Sequence, residues 1–427
     1  MTTIELVEHA RPVSLPVDTA TGRALAASRI ITATPDPERP GHWLLKAGSK
    51  VGAVTVSVPG GAPTLLRIIP KLRIARLFFL LGYALDPRGW KDDLVELAEE
   101  MELLPAVAHA FERLLRVALR TGPLKGYRAT DESSLVVRGR IREGDQIRRR
   151  HGTMLPLEIT YDEFTVDTAE NRLLRAATER LLRLPGVAPA VRSRLLHQQA
   201  RLTDATRLVP GRTLPGWKPS RLNAHYQPAL HLATAILRGG SVDHRTGDVR
   251  TSGFLFDMNK LFEDFTTVAL REALRDSDGY CRLQPHHHLD DLGAIRMRPD
   301  FVHYGPDGTP RGVADAKYKA EKPAGYPDAD LYQMLAYCTT LGLTEGHLVY
   351  AKGRAQRASH RVRHAGVTIH QHALDLEQPP AGLLAEIAAI ARNLRPAVGA
   401  SARIPPGRRG QQTSAVGLRT MSPDPPA

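Results

Sequence analysis

A chain of 427 residues exceeds what one hydrophobic core usually organises, so two or three domains are expected, and 42% hydrophobic content excludes an unfolded protein. Its 58 basic and 45 acidic residues leave a net charge of +13. That balance favours polyanionic partners, nucleic acid first, because Lys and Arg displace the counterions condensed on phosphates. The only two cysteines, Cys281 and Cys338, exclude a disulfide framework and a four-thiolate zinc site. The most apolar window, Ile74–Leu85, is too short to span a bilayer, and MTTIELVEHARPV carries acids where a secretory signal needs an apolar stretch. A cytoplasmic protein with no membrane partner is therefore expected.

Residues 1 to about 70 hold short alternating runs such as HWLLKAG, VGAVTVSV and LLRIIP between Pro/Gly clusters, the pattern of a small β-rich unit. A buried helix over Ile74–Ala84 follows. Asp92–Leu119 has apolar residues at helical spacing, with Pro105 expected to break it in two. Gly126–His151 alternates like strands and carries six arginines between Arg138 and Arg150, which suits either a DNA- or partner-facing surface or a solvated strand face. Residues 161–185 turn helical, with Asp167 or Thr168 as cap, and a further helix covers Pro189–Leu208. The connector VPGRTLPGWKPSR leads to a helix at Pro228–Leu237. From about 245 the succession helix, strand, strand, helix, strand predicts an α/β core. The segment from about Pro396 is rich in Pro, Gly, Ser and Arg and reads as a disordered tail.

The chemistry concentrates in RPDFVHY (298–304) and GVADAKYK (312–319). The first is a short strand entered through Pro299, with Asp300 at its beginning. PDGT (306–309) makes a tight turn, and the second string forms the next strand. Val313, Asp315 and Lys317 share one face of it, with Ala314, Ala316 and Tyr318 on the other. If the two strands pair as a hairpin, Asp300 arrives beside Asp315 and Lys317. Two carboxylates suit a hard divalent cation, Mg²⁺ by preference with Mn²⁺ as a substitute, and the Ala316 carbonyl is a candidate extra ligand. Such a cation activates water for phosphodiester hydrolysis, while Lys317 can orient that water and neutralise charge growing on the phosphate. A helix over Phe254–Ala273 would bring Glu263, and one over Asp330–Leu341, capped by Asp330, would carry Gln333 and Tyr337 on one face. The whole set is similar to the metal-dependent PD-(D/E)xK nucleases.

The residues also resemble a family, the McrC subunit of McrBC modification-dependent restriction systems. The blocks RIIPKLRIARLFFLLGYA (67–84), GYR…VVRGRI (126–141), YDEFTVDTAENRLLRAA (161–177), FLFDMNKLFEDF (254–265), RPDFVHY and DAKYK…DLYQMLAY (315–337) follow the family's order, and FLFDMNKLFE is the most distinctive. The resemblance implies an α+β, α/β multidomain protein. A β-rich N-terminal adaptor region with helices (1–220) would dock on a McrB-like hexameric AAA+ GTPase ring. A PD-(D/E)xK endonuclease domain (221–395) would have a mixed sheet flanked by helices, and the tail would occupy 396–427. It implies an enzyme that cuts DNA in defence against foreign methylated DNA. Asp300, Asp315 and Lys317 match its catalytic motif, and Glu263, Gln333 and Tyr337 match supporting positions. GTP would belong to the partner, in keeping with the lack of any G-x-x-x-x-G-K-[ST] string. The other functional readings are a non-cutting adaptor that stimulates the GTPase and a stand-alone nuclease of another system.

Other sequence features read more simply. The triplet His286–His288 alternates faces along a strand, which disfavours a shared metal. Asp290 and Asp291 suit a turn before Gly293. Asp162, Glu163 and Asp167 suit a helix start, with a structural or interface role implied by the family match.

Overall fold

The computed structural model describes residues 2–58, 61–87, 102–151, 153–184, 186–209, 211–239, 244–246, 249–318, 328–351 and 358–394. The expected tail and the first part of the helix expected from Asp92 lie outside these residues. The architecture is mixed α/β, with several sheets and packed helices.

The N-terminal part begins with strands β1 (Thr2–Val7) and β2 (Val13–Pro16), helix α1 (Thr19–Ser28), and strands β3 (Ile31–Pro35), β4 (His42–Ala47), β5 (Lys50–Ser57) and β6 (Thr64–Ile69). Helix α1 stands within the β-rich start, where the sequence pattern predicts no helix. Asp18 caps it by accepting from Thr21 N at 2.9 Å, and Ala24 and Leu25 are buried. Helix α2 (Ile74–Leu85) lies where its apolar run predicts. Helix α3 (Leu103–Ala118) runs through Pro105 without a break. The proline sits in the first turn, where the missing N–H has no intrahelical acceptor to lose.

An arm follows, built of β7 (Gly126–Ser134), β8 (Arg140–Ile141), α4 (Glu143–Arg150) and β9 (Leu157–Thr165) in the order β7-β9-β8. Here 143–150 is helical, not extended, and 161–165 is strand, not helix. Helix α4 has acids in its first turn and arginines in its last, the arrangement that suits the helix dipole. Helices α5 (Ala169–Arg183), α6 (Pro189–Arg201) and α7 (Gln227–Gly239) come next. Thr168 is the α5 cap, accepting from Asn171 N at 3.3 Å.

Strands β10 (His244–Thr246) and β11 (Val249–Asp257) then return to the N-terminal part, completing the sheet β1-β6-β5-β11-β10. Phe254–Asp257, expected as helix, is therefore strand, because β11 finds a full antiparallel ladder on β5 from Arg250↔Ser57 to Asp257↔Lys50. Tertiary pairing overrides local periodicity here. The contact is close: a Cβ on Gly253 would stand 2.5 Å from the Ala53 carbonyl. Asp257 ends the strand and caps helix α8 (Met258–Ala273), accepting from Asn259 N at 3.0 Å.

The remaining elements are β12 (Tyr280–Leu283), β13 (His287–His288), β14 (Arg296–Met297), β15 (Phe301–Tyr304), β16 (Pro310–Lys317), α9 (Asp328–Leu341), β17 (Glu345–Ala351), β18 (Ala358–Arg361), β19 (Thr368–Leu374) and α10 (Pro380–Asn393). A mixed sheet runs β12-β15-β16-β17-β19-β18, with β16, β17 and β19 parallel and the other pairs antiparallel. One face buries Val302, Val313, Leu348 and Tyr350 with Met334, Tyr337 and Cys338 of α9. The other buries Phe301, Ala314, Ala316 and Val349 in a core shared with α8, α10 and the N-terminal part. Phe265 of α8 packs edge-on to Phe79 and Tyr83 of α2, at 5.4 and 5.6 Å between centroids. Full burial of such a ring contributes about 1.5–3 kcal/mol, so α8 is held from the N-terminal side while it carries Glu263. Among the described residues no helix is long and apolar enough to cross a membrane.

Candidate active site

The hairpin expected between RPDFVHY and GVADAKYK forms. The PDGT turn closes with Gly305 N donating to Thr309 O at 2.8 Å, and Gly308 adopts φ +80°, which a glycine accepts without strain. The register Phe301↔Ala314 and Val302↔Val313 brings the residue before β15 to the far end of β16. There Asp300 Oδ2 accepts from Ala316 N at 2.9 Å. Asp315 is 2% exposed, and its Oδ2 pairs with the Lys317 ammonium. On the other side β16 is held by β17, Asp315 opposite Leu348 and Lys317 opposite Tyr350. Asp300, Asp315, Ala316 and Lys317 are thus brought together.

The electrostatics follow from that crowding. Burial, then the neighbouring Asp315 and Glu263 charges, push the Asp300 carboxyl well above the usual carboxylate range. For Lys317, burial works against its charge, but Asp315, Asp300 and Asp330 outweigh it and hold the ammonium above an ordinary lysine. Burial, with Asp315 and Asp300 adding to it, raises Tyr337, whose hydroxyl donates to Arg298 O at 3.4 Å.

Glu263 enters from α8. Its Oε1 accepts from Lys260 Nζ at 3.1 Å and from Gln284 Nε2. Gln284 in turn accepts from Arg298 through Oε1, and its main-chain N–H donates to Asp300 O at 2.9 Å. Gln284 sits at φ +49°, an uncommon conformation for a residue other than glycine. It is the node that joins Glu263, Arg298 and Asp300, and no sequence pattern pointed to it. Arg298 lies inside the RPD string, and its adjacency to Asp300 was the available signal.

Helix α9 begins at Asp328, not Asp330. Asp330 lies in its first turn, 4% exposed, and accepts from Tyr350 Oη at 3.2 Å. It adds a third negative charge near Lys317 instead of capping the helix. Tyr337 is buried at the site, whereas Gln333 is exposed, and among the described residues no hydrogen bond joins it to the carboxylates. Asp264 pairs with Lys260 at 2.8 Å.

The donors suit a hard divalent cation. Asp300, Asp315 and the Ala316 carbonyl offer oxygen only, and crowded like charges are what such an ion relieves. Among the described residues no three His, Cys, Asp or Glu side chains are gathered as a ligand set. A cation here would therefore rest on two carboxylates and a carbonyl, with water completing its shell.

The other sequence candidates resolve into structural roles. His287 Nε2 and Tyr304 Oη share a hydrogen bond of 2.9 Å. Asp290 closes its turn by accepting from Ala294 N at 3.1 Å and Ile295 N at 2.7 Å. Asp167 is buried and binds Arg128, Arg172 and Thr206, whose N and Oγ1 donate at 2.6 and 2.7 Å. Most of the arginine run is neutralised within the arm. Arg142, Arg149 and Arg150 converge on Glu158, Arg138 meets Glu132, and Arg148 meets Asp145.

A family model described as "McrBC 5-methylcytosine restriction system component" matches residues 45–351. The chain belongs to that family. The matched span holds Glu263, Asp300, Asp315, Ala316, Lys317, Gln333 and Tyr337. A solved assembly of Thermococcus gammatolerans McrB AAA+ hexamers with bound McrC contains a chain with a similar fold. It is 17% identical, with a TM-score of 0.54, over 92% of this chain and all of that one. A cryo-EM structure of the Thermococcus gammatolerans McrBC complex matches at 20% identity and TM-score 0.39, over 64% and 88%. No curated protein matches the chain.

Proposed function

We propose that this chain is the Mg²⁺-dependent DNA endonuclease subunit of a McrBC-type restriction system, acting with a McrB-like AAA+ GTPase ring against foreign methylated DNA. The observation that carries this is the convergence of Asp300, Asp315 and Lys317 across the β15–β16 hairpin, with Asp300 tied to Ala316 N at 2.9 Å. On this reading residues 221–395 hold the PD-(D/E)xK nuclease and 1–220 the adaptor, in the cytoplasm.

Asp300, Asp315 and the Ala316 carbonyl would hold the cation. Bound there, Mg²⁺ supplies Lewis-acid polarisation of the scissile phosphate and a lowered pKa for its water. Lys317, charged at neutral pH, orients the attacking water and offsets negative charge as it grows on the phosphate. Glu263 orients this shell through Gln284, and Tyr337 closes the site from α9.

Docking on the ring is supported by the arm. Tyr127, Leu135, Val136, Ile147, Met154 and Phe164 are all more than half exposed, and the rings of Tyr127 and Phe164 lie 5.0 Å apart, so the arm offers apolar side chains that a partner could cover. In the Thermococcus gammatolerans assembly McrC is bound to McrB AAA+ hexamers.

The test is cleavage of methylated DNA by the chain with its ring, GTP and Mg²⁺. Asp300→Ala and Lys317→Ala should each lower cleavage by roughly 100-fold or more while leaving stimulation of GTP hydrolysis intact. Full cutting by either variant sinks the assignment, and faster GTP hydrolysis with no DNA breaks in the parent protein would favour the adaptor reading.

A further inference from the structure

We propose that Glu8 is a positioning residue for Lys317, acting through the hydroxyl of Tyr318 from the N-terminal sheet. This rests on the nuclease reading above.

Glu8 follows β1 and is fully buried. Its Oε1 accepts from two directions, Lys71 N at 2.7 Å and Tyr318 Oη at 2.8 Å. Its Oε2 is buried without a hydrogen-bond partner among the described residues. Burial drives the carboxyl above its ordinary range despite both bonds. A half-satisfied buried carboxylate costs roughly 1–3 kcal/mol, and an apolar residue would fill the space without that cost. What an apolar residue lacks is the acceptor that ties Lys71, in the RIIPK block, to Tyr318, in the DAKYK block.

Tyr318 is the residue after Lys317 and the first beyond the β16 ladder. Its ring stands 6.3 Å from His9 of the N-terminal part and 6.0 Å from Phe262, the neighbour of Glu263 on α8. Beyond the pairing of Lys317 with Tyr350, the end of β16 is fixed by this ring and by its hydroxyl on Glu8. The ammonium of Lys317 must meet Asp315, and a displacement of about 1 Å in such a constellation can cost 100-fold in rate. A bond between the first strand's end and the catalytic strand's end thus sets where the lysine stands.

The experiment uses the full chain and three variants, Glu8→Ala, Glu8→Gln and Tyr318→Phe. With the AAA+ partner, GTP, Mg²⁺ and methylated plasmid, Glu8→Ala and Tyr318→Phe should each lower kcat by about tenfold with KM for DNA within about twofold. Glu8→Gln keeps an acceptor for both donors and should restore kcat to within about twofold of the parent. The double variant Glu8→Ala/Tyr318→Phe should be no slower than Glu8→Ala alone, since both break one link. In parallel, pulse labelling with acetic anhydride, read by mass spectrometry on the isolated chain, should acetylate Lys317 faster in Glu8→Ala and Tyr318→Phe than in the parent and Glu8→Gln. Exposed Lys218 serves as the control that does not change. Parental kcat and parental Lys317 labelling in Tyr318→Phe, which deletes one oxygen and should fold, would overturn the proposal even if Glu8→Ala misfolds. If the parent chain cuts no DNA, the nuclease reading fails, and labelling alone decides whether Glu8 positions Lys317.

Discussion

Oδ2 of Asp300 accepts a hydrogen bond from the main-chain N–H of Ala316 at 2.9 Å. The bond joins the start of β15 to the end of β16 and fixes the half-buried Asp300 carboxylate beside the buried Asp315. Asp300→Asn keeps the acceptor and removes the charge. Because Asp315 and Glu263 both disfavour that charge, the variant without metal should melt slightly higher, by about 1–2 °C. Mg²⁺ should raise the melting temperature of the parent and not of the variant, which should also lose cleavage. Thermal melts with and without Mg²⁺ decide it, and an undiminished Mg²⁺ shift in Asp300→Asn would count against Asp300 as a ligand.

Tyr337 and Gln333 lie four residues apart on α9, yet only Tyr337 is buried beside the carboxylates. Tyr337→Phe should lower the cleavage rate by roughly tenfold, and Gln333→Ala by less than about twofold. Initial rates at saturating DNA measure both. A larger loss in Gln333→Ala would assign Gln333 a contact with DNA or the partner.

The hairpin and its triad were legible because alternation along a strand and a tight turn are local rules, obeyed by GVADAKYK and PDGT. The fate of Phe254–Asp257 was not, since β11 owes its extended form to β5, some two hundred residues earlier in the chain. Gln284 was invisible for a related reason. It matters by joining Glu263, Arg298 and Asp300, none of which is its neighbour in sequence. Asp330 read as a cap because Asp before a helical run usually is one. Two more residues of helix turned it inward to Tyr350. The arginine run was ambiguous because the acids that meet Arg138, Arg142, Arg149 and Arg150, namely Glu132 and Glu158, come from strands that pair with each other.

His347 should make stability depend on acid. It is 1% exposed, shares a hydrogen bond of 3.0 Å with His372, and stacks on His370 and His372. Burial, then the charges that His372 and His370 would carry, pull its pKa down to about 3, against 6.5 in an unfolded chain. Between those values the unfolded state binds the extra proton, so stability falls as pH drops below about 6.5. One such group contributes a slope of up to about 1.4 kcal/mol per pH unit. Urea melts at pH 7.0, 6.0 and 5.0 should show that decline, and His347→Gln should flatten it by about one proton. An unchanged slope in the variant would mean that His347 is not the group responsible.

The arm separates stability from assembly. Where the β7–β9 ladder ends at Ser134 and Leu157, Leu135 is 72% exposed and Met154 85% exposed. Neither is among the buried residues of either core. Replacing an exposed side chain away from such contacts usually changes stability by less than about 0.5 kcal/mol. Leu135→Asp and Met154→Asp should therefore leave the melting temperature within about 1 °C. If these apolar groups meet the AAA+ ring, burying a carboxylate in their place should weaken association by about tenfold or more. Stimulation of GTP hydrolysis, titrated against the concentration of each variant, reads the affinity directly. Parental half-saturation in both variants would move the docking surface off this end of the arm, without touching the assignment of Asp300, Asp315 and Lys317.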